Sequence, residues 1–117
     1  MKLLDGMTGI VTGGARGLGL EIILAFLREG ASVECIDLID CETAAQVEAV
    51  AAENGARVRW HKADVTNEEQ ISPLIEKILS DCDGIDILVN NAGITRDKLV
   101  FRMSLDEWQT VLTVNLT

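Results

Sequence analysis

Short runs of β-branched and apolar residues alternate along the chain with longer segments in which apolar positions recur every three to four residues. That alternation predicts βαβ units feeding a parallel sheet. The first strand is expected over Gly9-Ile10-Val11-Thr12, starting as early as Met7. A helix should follow from Gly17 to Glu29. Leu20, Ile23, Leu24 and Leu27 can face the sheet, Glu21, Arg28 and Glu29 fall on the opposite side, and Gly30 ends it. A second strand spans Ala31 to Asp37. A second helix runs from Cys41 to Glu53, with Ala44, Val47 and Ala51 in register and Asn54-Gly55 as its stop.

The third strand is expected from Arg57 to Ala63. The helix after it has the clearest stripe, Ile71, Leu74, Ile75, Ile78 and Leu79. Its start reads in two ways. Thr66 with Glu69 forms a capping box, and Ser72-Pro73 forms an N-cap followed by proline at the first helical position. A helix opening at Asn67 would carry Pro73 inside it, at a cost or with a bend. A fourth strand spans Ile85 to Val89. A last helix opens at Ser104, capped by Ser104 and Glu107, with Leu105, Trp108, Leu112 and Leu116 on one stripe.

The first strand and first helix are joined by Thr12-Gly13-Gly14-Ala15-Arg16-Gly17-Leu18-Gly19. Glycines there allow a sharp turn and close approach to a pyrophosphate, and the helix N-terminus adds free N–H groups and a positive dipole end. The spacing is not GxGxxG, and the Gly-Lys-Ser/Thr ending of a P-loop is missing. Asp37 ends the second strand, where a carboxylate can accept both hydroxyl hydrogens of an adenosine ribose. Asp64 ends the third strand, where it can accept from an adenine amino group. Taken singly, the turn is also compatible with packing alone and each Asp with a strand-end cap. Together they fall at the carboxyl ends of three successive strands, where open α/β sheets bind ligands.

Composition narrows the chemistry. The 117 residues suffice for a single domain. The net charge of −9, from 10 Lys plus Arg and 19 Asp plus Glu, argues against phosphate-driven nucleic-acid binding and against docking on anionic lipid. Charges interrupt every apolar run well before a membrane-spanning length, and the first residues lack the apolar stretch of a signal peptide. Tyrosine is absent and His61 is the lone histidine. With Cys35, Cys41 and Cys82 at no CxxC spacing, no metal site is expected, and three reduced thiols fit a cytoplasmic protein. Trp60 and His61 read as packing and edge residues. Arg57, Arg59 and Lys62 read as a solvated basic face, as do Arg96, Lys98 and Arg102.

These residues resemble the short-chain dehydrogenase/reductase family. Thr12-Gly13-x-x-x-Gly17-x-Gly19 is similar to its cofactor turn, Asp64-Val65 to its adenine-contact pair, and Asn90-Asn91-Ala92-Gly93 to its signature after the fourth strand. Asn115, in Val114-Asn115-Leu116, matches the helix asparagine of its catalytic set. Gly93-Ile94-Thr95-Arg96-Asp97, Arg102-Met103-Ser104 and Glu107-Trp108 resemble the 3-oxoacyl-(acyl-carrier-protein) reductase branch.

The resemblance implies an α/β fold, a Rossmann-like parallel sheet of four strands in the order 3-2-1-4 with flanking helices, forming one incomplete dinucleotide-binding domain over residues 1–117. It implies hydride transfer between NAD(P) and a carbonyl/alcohol pair such as a 3-oxoacyl thioester. Gly13, Ala15, Arg16, Gly17, Leu18, Gly19, Asp37, Asp64, Val65, Asn90, Ala92 and Gly93 are then the cofactor residues, and Asn115 the catalytic one. The family's serine and its Tyr-x-x-x-Lys acid/base pair have no counterpart here, so these residues alone are expected to be inactive. Either a complementing chain supplies the second half, or the chain is a stand-alone nucleotide-binding module or a purely structural fragment. A flavodoxin-like or methyltransferase sheet is a weaker alternative fold.

NAD is expected over NADP, because Asp37 would face a 2′-phosphate and each like-charge pair at about 4 Å costs roughly 4 kcal/mol at an effective dielectric of about 20. Arg16 pulls the other way, toward NADP. An apolar fourth strand left as an edge, together with the last helix, would drive self-association.

Overall fold

The computed structural model describes residues 2–91 and the backbone of 112–115. The elements are β1 (Thr8–Thr12), α1 (Gly17–Arg28), β2 (Ser32–Asp37), α2 (Ala44–Glu53), β3 (Val58–Lys62), α3 (Glu68–Asp81), β4 (Ile87–Asn90) and β5 (Leu112–Asn115). All strands pair in parallel, in the order β3-β2-β1-β4-β5. The expected 3-2-1-4 sheet is therefore present, extended by one strand.

That fifth strand corrects two expectations. Residues 112–115 form β5, not the later turns of a helix opened at Ser104; residues 104–111 and Leu116 lie outside the described residues. Thr113 and Val114 are β-branched, and a short apolar run fits either period. Pairing with β5 satisfies the backbone N–H and C=O groups along one side of β4. Hence β4 is an interior strand between β1 and β5, not the expected exposed edge.

Alternating side chains divide the interior into two layers. Ile10 of β1, Ile36 of β2 and Leu88 of β4 meet Ile71, Ile75 and Ile78 of α3 on one face. Val11, Val33, Cys35, Ile87 and Val89 meet Ile23 and Leu27 of α1 and Val47 and Ala51 of α2 on the other. Both faces of the central strands are thus covered, as an all-parallel sheet requires.

The helix ends follow local chemistry. After α1, Gly30 N donates to Leu27 O and Ala31 N to Phe26 O; after α2, Gly55 N donates to Ala52 O and Ala56 N to Ala51 O. Both stops are Schellman motifs built on a glycine of positive φ. The start of α3 follows neither expected capping pair. Asn67 is its N-cap, the side chain accepting from Glu69 N at 3.0 Å. Thr66 is occupied elsewhere, its hydroxyl donating to Asp64 Oδ1. Pro73 therefore sits inside the helix, where it removes one backbone donor. Burial of Ile71, Ile75 and Ile78 offsets that loss.

Among the described residues, one charged side chain lies within the core. Glu34 of β2 has no exposed surface. Its carboxylate accepts from Arg59 Nε at 2.8 and 3.0 Å and contacts His61 Nε2 at 2.7 Å, both on β3, and Arg59 Nη1 reaches Asp81 Oδ2 at the end of α3 at 3.0 Å. Arg59 is not part of a solvated face, as the sequence suggested, and His61, which does lie on the edge strand β3, is turned inward onto Glu34. A buried carboxylate demands partners, and the Glu34–Arg59 register places one directly opposite.

Glu34→Ala should destabilise the chain by about 3–5 kcal/mol, since it leaves Arg59 Nε and His61 Nε2 without their partner. Urea unfolding followed by circular dichroism measures this, and a midpoint equal to wild type would refute the clamp. Asn67→Ala should cost about 1 kcal/mol through the lost cap. Thr66→Ala and Ser72→Ala, compared in the same assay, should not reproduce loss of the N-cap.

Candidate functional site

The site lies where β1, β2, β3 and β4 end. Gly13 follows β1 in a left-handed conformation (φ 67°), which turns the chain away from the sheet, and its N–H donates to Ile36 O of β2 at 2.8 Å. Gly17 also has positive φ and opens α1. Gly19 is a glycine for a different reason. A Cβ there would collide with Gly13 O and stand 2.6 Å from Asn91 Nδ2, so the helix could not approach the turn.

One hydroxyl holds this arrangement. Thr12 Oγ1 is fully buried at the end of β1, accepts from Asn91 N at 3.0 Å and lies 3.1 Å from Asn90 Oδ1, to which it donates. Asn91 Nδ2 reaches Gly13 O at 3.3 Å. The end of β4 is thereby tied to the glycine turn. Thr12 and Asn91 were not among the expected site residues, although both stood inside the quoted motifs. Asn90, expected as a cofactor residue, is buried at the end of β4 with its Oδ1 accepting from Thr12.

The N-terminus of α1 is open to an anion. Its N-cap, Arg16, makes no side-chain capping bond, and its first turn holds no acidic residue. The amides of Gly17, Leu18 and Gly19 point outward with the positive end of the helix dipole behind them. Arg16 and Leu18 are exposed on either side.

Asp37 connects this turn to the end of β2. Its Oδ2 accepts from Ala15 N at 2.9 Å, and its Oδ1 accepts from Leu38 N at 2.7 Å and Ile39 N at 3.4 Å. A carboxylate has about four acceptor positions, so Oδ2 retains capacity for a further donor. Leu38 and Ile39 are exposed beside it, as is Leu18 on the turn, so apolar surface rims the cleft. Deeper in β2, burial and then the Asp37 charge push the Cys35 thiol up to about 12, so it is an inert packing group.

A cavity of about 200 Å³ opens between the ends of β1, β2 and β3, lined by Gly13, Ile36, Asp37, Leu38, Ala63, Asp64, Val65 and Thr66. It is smaller than a whole-ligand pocket of about 300–1,000 Å³ and suits one ring of a larger ligand. Asp64 Oδ1 accepts from the Thr66 hydroxyl at 2.6 Å and from Thr66 N at 2.9 Å. Those two bonds hold its carboxyl below the ordinary aspartate range, the hydroxyl bond first. Its second oxygen has no partner among the described residues. Val65 is buried and forms the floor. A second cleft of about 460 Å³, lined by Ala15, Arg16, Gly17, Leu20, Ile39, Asp40, Glu42 and Thr43, flanks the turn on the α2 side.

Asn115 ends β5 in register with Asn90, so the backbone brings it to the same end of the sheet. Ala92 and Gly93 lie outside the described residues, as do Arg96, Lys98 and Arg102. Among the described residues no cluster of metal-binding side chains occurs, and no helix is long and apolar enough to cross a membrane.

Comparison with known proteins agrees with this geometry. The family described as short chain dehydrogenase matches residues 8–117. The 3-oxoacyl-(acyl-carrier-protein) reductase of Chlamydia pneumoniae is 45% identical over 114 residues, which is 97% of this chain and 46% of that protein. The corresponding reductase of Aquifex aeolicus is 42% identical over the same shares. Among solved structures, an NAD+-bound xylitol dehydrogenase superposes with a TM-score of 0.68 at 33% identity, covering 79% of this chain and 35% of its own. The hydroxysteroid dehydrogenase of Escherichia coli superposes with a TM-score of 0.65 at 37% identity, covering 77% and 37%. The chain spans about half the length of the curated relatives it matches. From its glycine turn to its fifth strand, this chain belongs to the short-chain dehydrogenase family.

Proposed function

We propose that the chain holds the adenosine and pyrophosphate portion of a nicotinamide dinucleotide, NAD in preference to NADP. It is the cofactor-binding half of an oxidoreductase acting on a carbonyl/alcohol pair such as a 3-oxoacyl thioester. The observation that carries this reading is the cavity of about 200 Å³ that joins Gly13, Asp37, Asp64 and Val65 at the carboxyl ends of three parallel strands. The amides at the start of α1 receive the pyrophosphate, with Gly13, Ala15, Gly17 and Gly19 shaping the approach. Asp37 accepts from the ribose hydroxyls through the capacity left on Oδ2. The adenine lies over Val65, and the free oxygen of Asp64 takes its amino group. Arg16 flanks the phosphates and Leu18 packs against the bound molecule.

A bound dinucleotide supplies the hydride. In this reading the protein's share of the chemistry is to orient that molecule, and Asn115, beside Asn90 at the sheet end, belongs to the same face. The 117 residues contain no tyrosine, so they hold no phenol to move a proton to or from a carbonyl oxygen. Alone they do not reduce a 3-oxoacyl thioester; with a second-half chain carrying the serine and Tyr-x-x-x-Lys, they do. Three free thiols suit the reducing cytoplasm.

Calorimetric titration of the purified chain should give saturable NAD binding and weaker NADP binding. Gly19→Ala should abolish it by pushing the helix off the turn, with circular dichroism confirming that the sheet is retained. No heat with either nucleotide from folded protein would make the chain a purely structural fragment. Asp37→Asn should weaken NAD about 10- to 100-fold, the worth of one charge-assisted hydrogen bond. An unchanged affinity would remove Asp37 from the ribose site.

A further inference from the structure

Asp37 lines two cavities, the one of about 200 Å³ described above and another shared with Asp40, Trp60, His61 and Lys62; with the cleft beside Arg16 these carry the carboxylates of Asp37, Asp40, Glu42 and Asp64. Among the described residues, two lysine or arginine side chains, Arg16 and Lys62, line them as well. Lys62 has the position that matters. It ends β3 as the register partner of Asp37, one strand away from the carboxylate assigned to the ribose. A cation there would stand beside any phosphate carried by that ribose. Its ammonium is directed elsewhere, to the carboxylate of Asp40 in the β2–α2 connection, at 3.2 Å. Asp40 also lines the cleft that holds Arg16, together with Glu42.

The pair is exposed on both sides, and such a pair contributes little to folding stability. Its consequence is electrostatic: the ammonium of Lys62, on the register partner of Asp37, is offset by Asp40. Resting on the dinucleotide reading above, we propose that Asp40 is a specificity-determining residue, which holds Lys62 away from the ribose and so denies a 2′-phosphate its counter-charge. Asp37 repels that phosphate, and Asp40 removes the cation that would compensate.

The test is calorimetric titration of NAD and NADP into wild type, Asp40→Asn and Asp40→Asn/Lys62→Met, at low and at 0.5 M salt. Asp40→Asn should narrow the preference for NAD about three- to tenfold through tighter NADP binding, with NAD affinity unchanged. Removing Lys62 from that variant should return the ratio to the wild-type value, and high salt should shrink the difference. An Asp40→Asn ratio equal to wild type, with NAD still bound, overturns the proposal. A gain that survives Lys62→Met overturns the lysine as its agent. Wild type that binds neither nucleotide overturns the underlying dinucleotide reading, and the proposal with it.

Discussion

The turn between β1 and α1 keeps its shape because Thr12 Oγ1, buried at the end of β1, is bonded on both sides by consecutive residues of β4's end. Neither Asn90 nor Asn91 is near Thr12 in sequence; the β1–β4 pairing brings them there. Once it does, Asn91 reaches Gly13 O, and Gly13 O sets how near α1 can come through Gly19. The sheet order, the glycine spacing and the direction of the helix dipole are therefore one linked constraint. A β4 shifted by a single residue would turn its side chains to the opposite face and break its ties to Thr12 and Gly13.

Charge is handled differently at the two ends of β2. Glu34 is sealed within the α3 layer, so it needs Arg59, His61 and, through Arg59, Asp81; its contribution is to lock β2, β3 and α3 together. Asp37 stands three residues further on at the rim. Backbone donors from the turn and from its own loop hold it in place without consuming its acceptor capacity. The first carboxylate serves the fold and the second stays available to a ligand, and burial is what separates them.

Much of this was legible in the sequence because it repeats with a period. The α1 and α3 stripes, the β-branched strand runs and the glycine stops after α1 and α2 each produce a local signal, and each element formed where expected to within a few residues. What escaped was decided by partners distant in the chain. Asn67 displaced two plausible caps because Thr66 was drawn to Asp64. Arg59 read as a surface cation because its partner, Glu34, lies on another strand. The stretch 112–115 carried a helical stripe, yet an open β4 side and two β-branched residues made it a strand. At the site, Asp37 and the glycines could be named from their positions at strand ends, whereas Thr12 and Asn91 act through a hydrogen bond across the sheet that no spacing reveals.

The bond from Ala15 N to Asp37 also bears on how a ligand would be received. An isolated strand-end carboxylate lies free in water, and binding would have to order it at an entropic cost. Here the carboxylate already faces the turn, fixed at 2.9 Å by the Ala15 amide of the glycine turn. The positions proposed for ribose and pyrophosphate are thus held at a set spacing by the fold itself. Exposed Leu18, Leu38 and Ile39 around them are surface that a bound nucleotide would remove from water. Pre-set polar groups with an apolar rim give a binding site its affinity without further rearrangement of the chain.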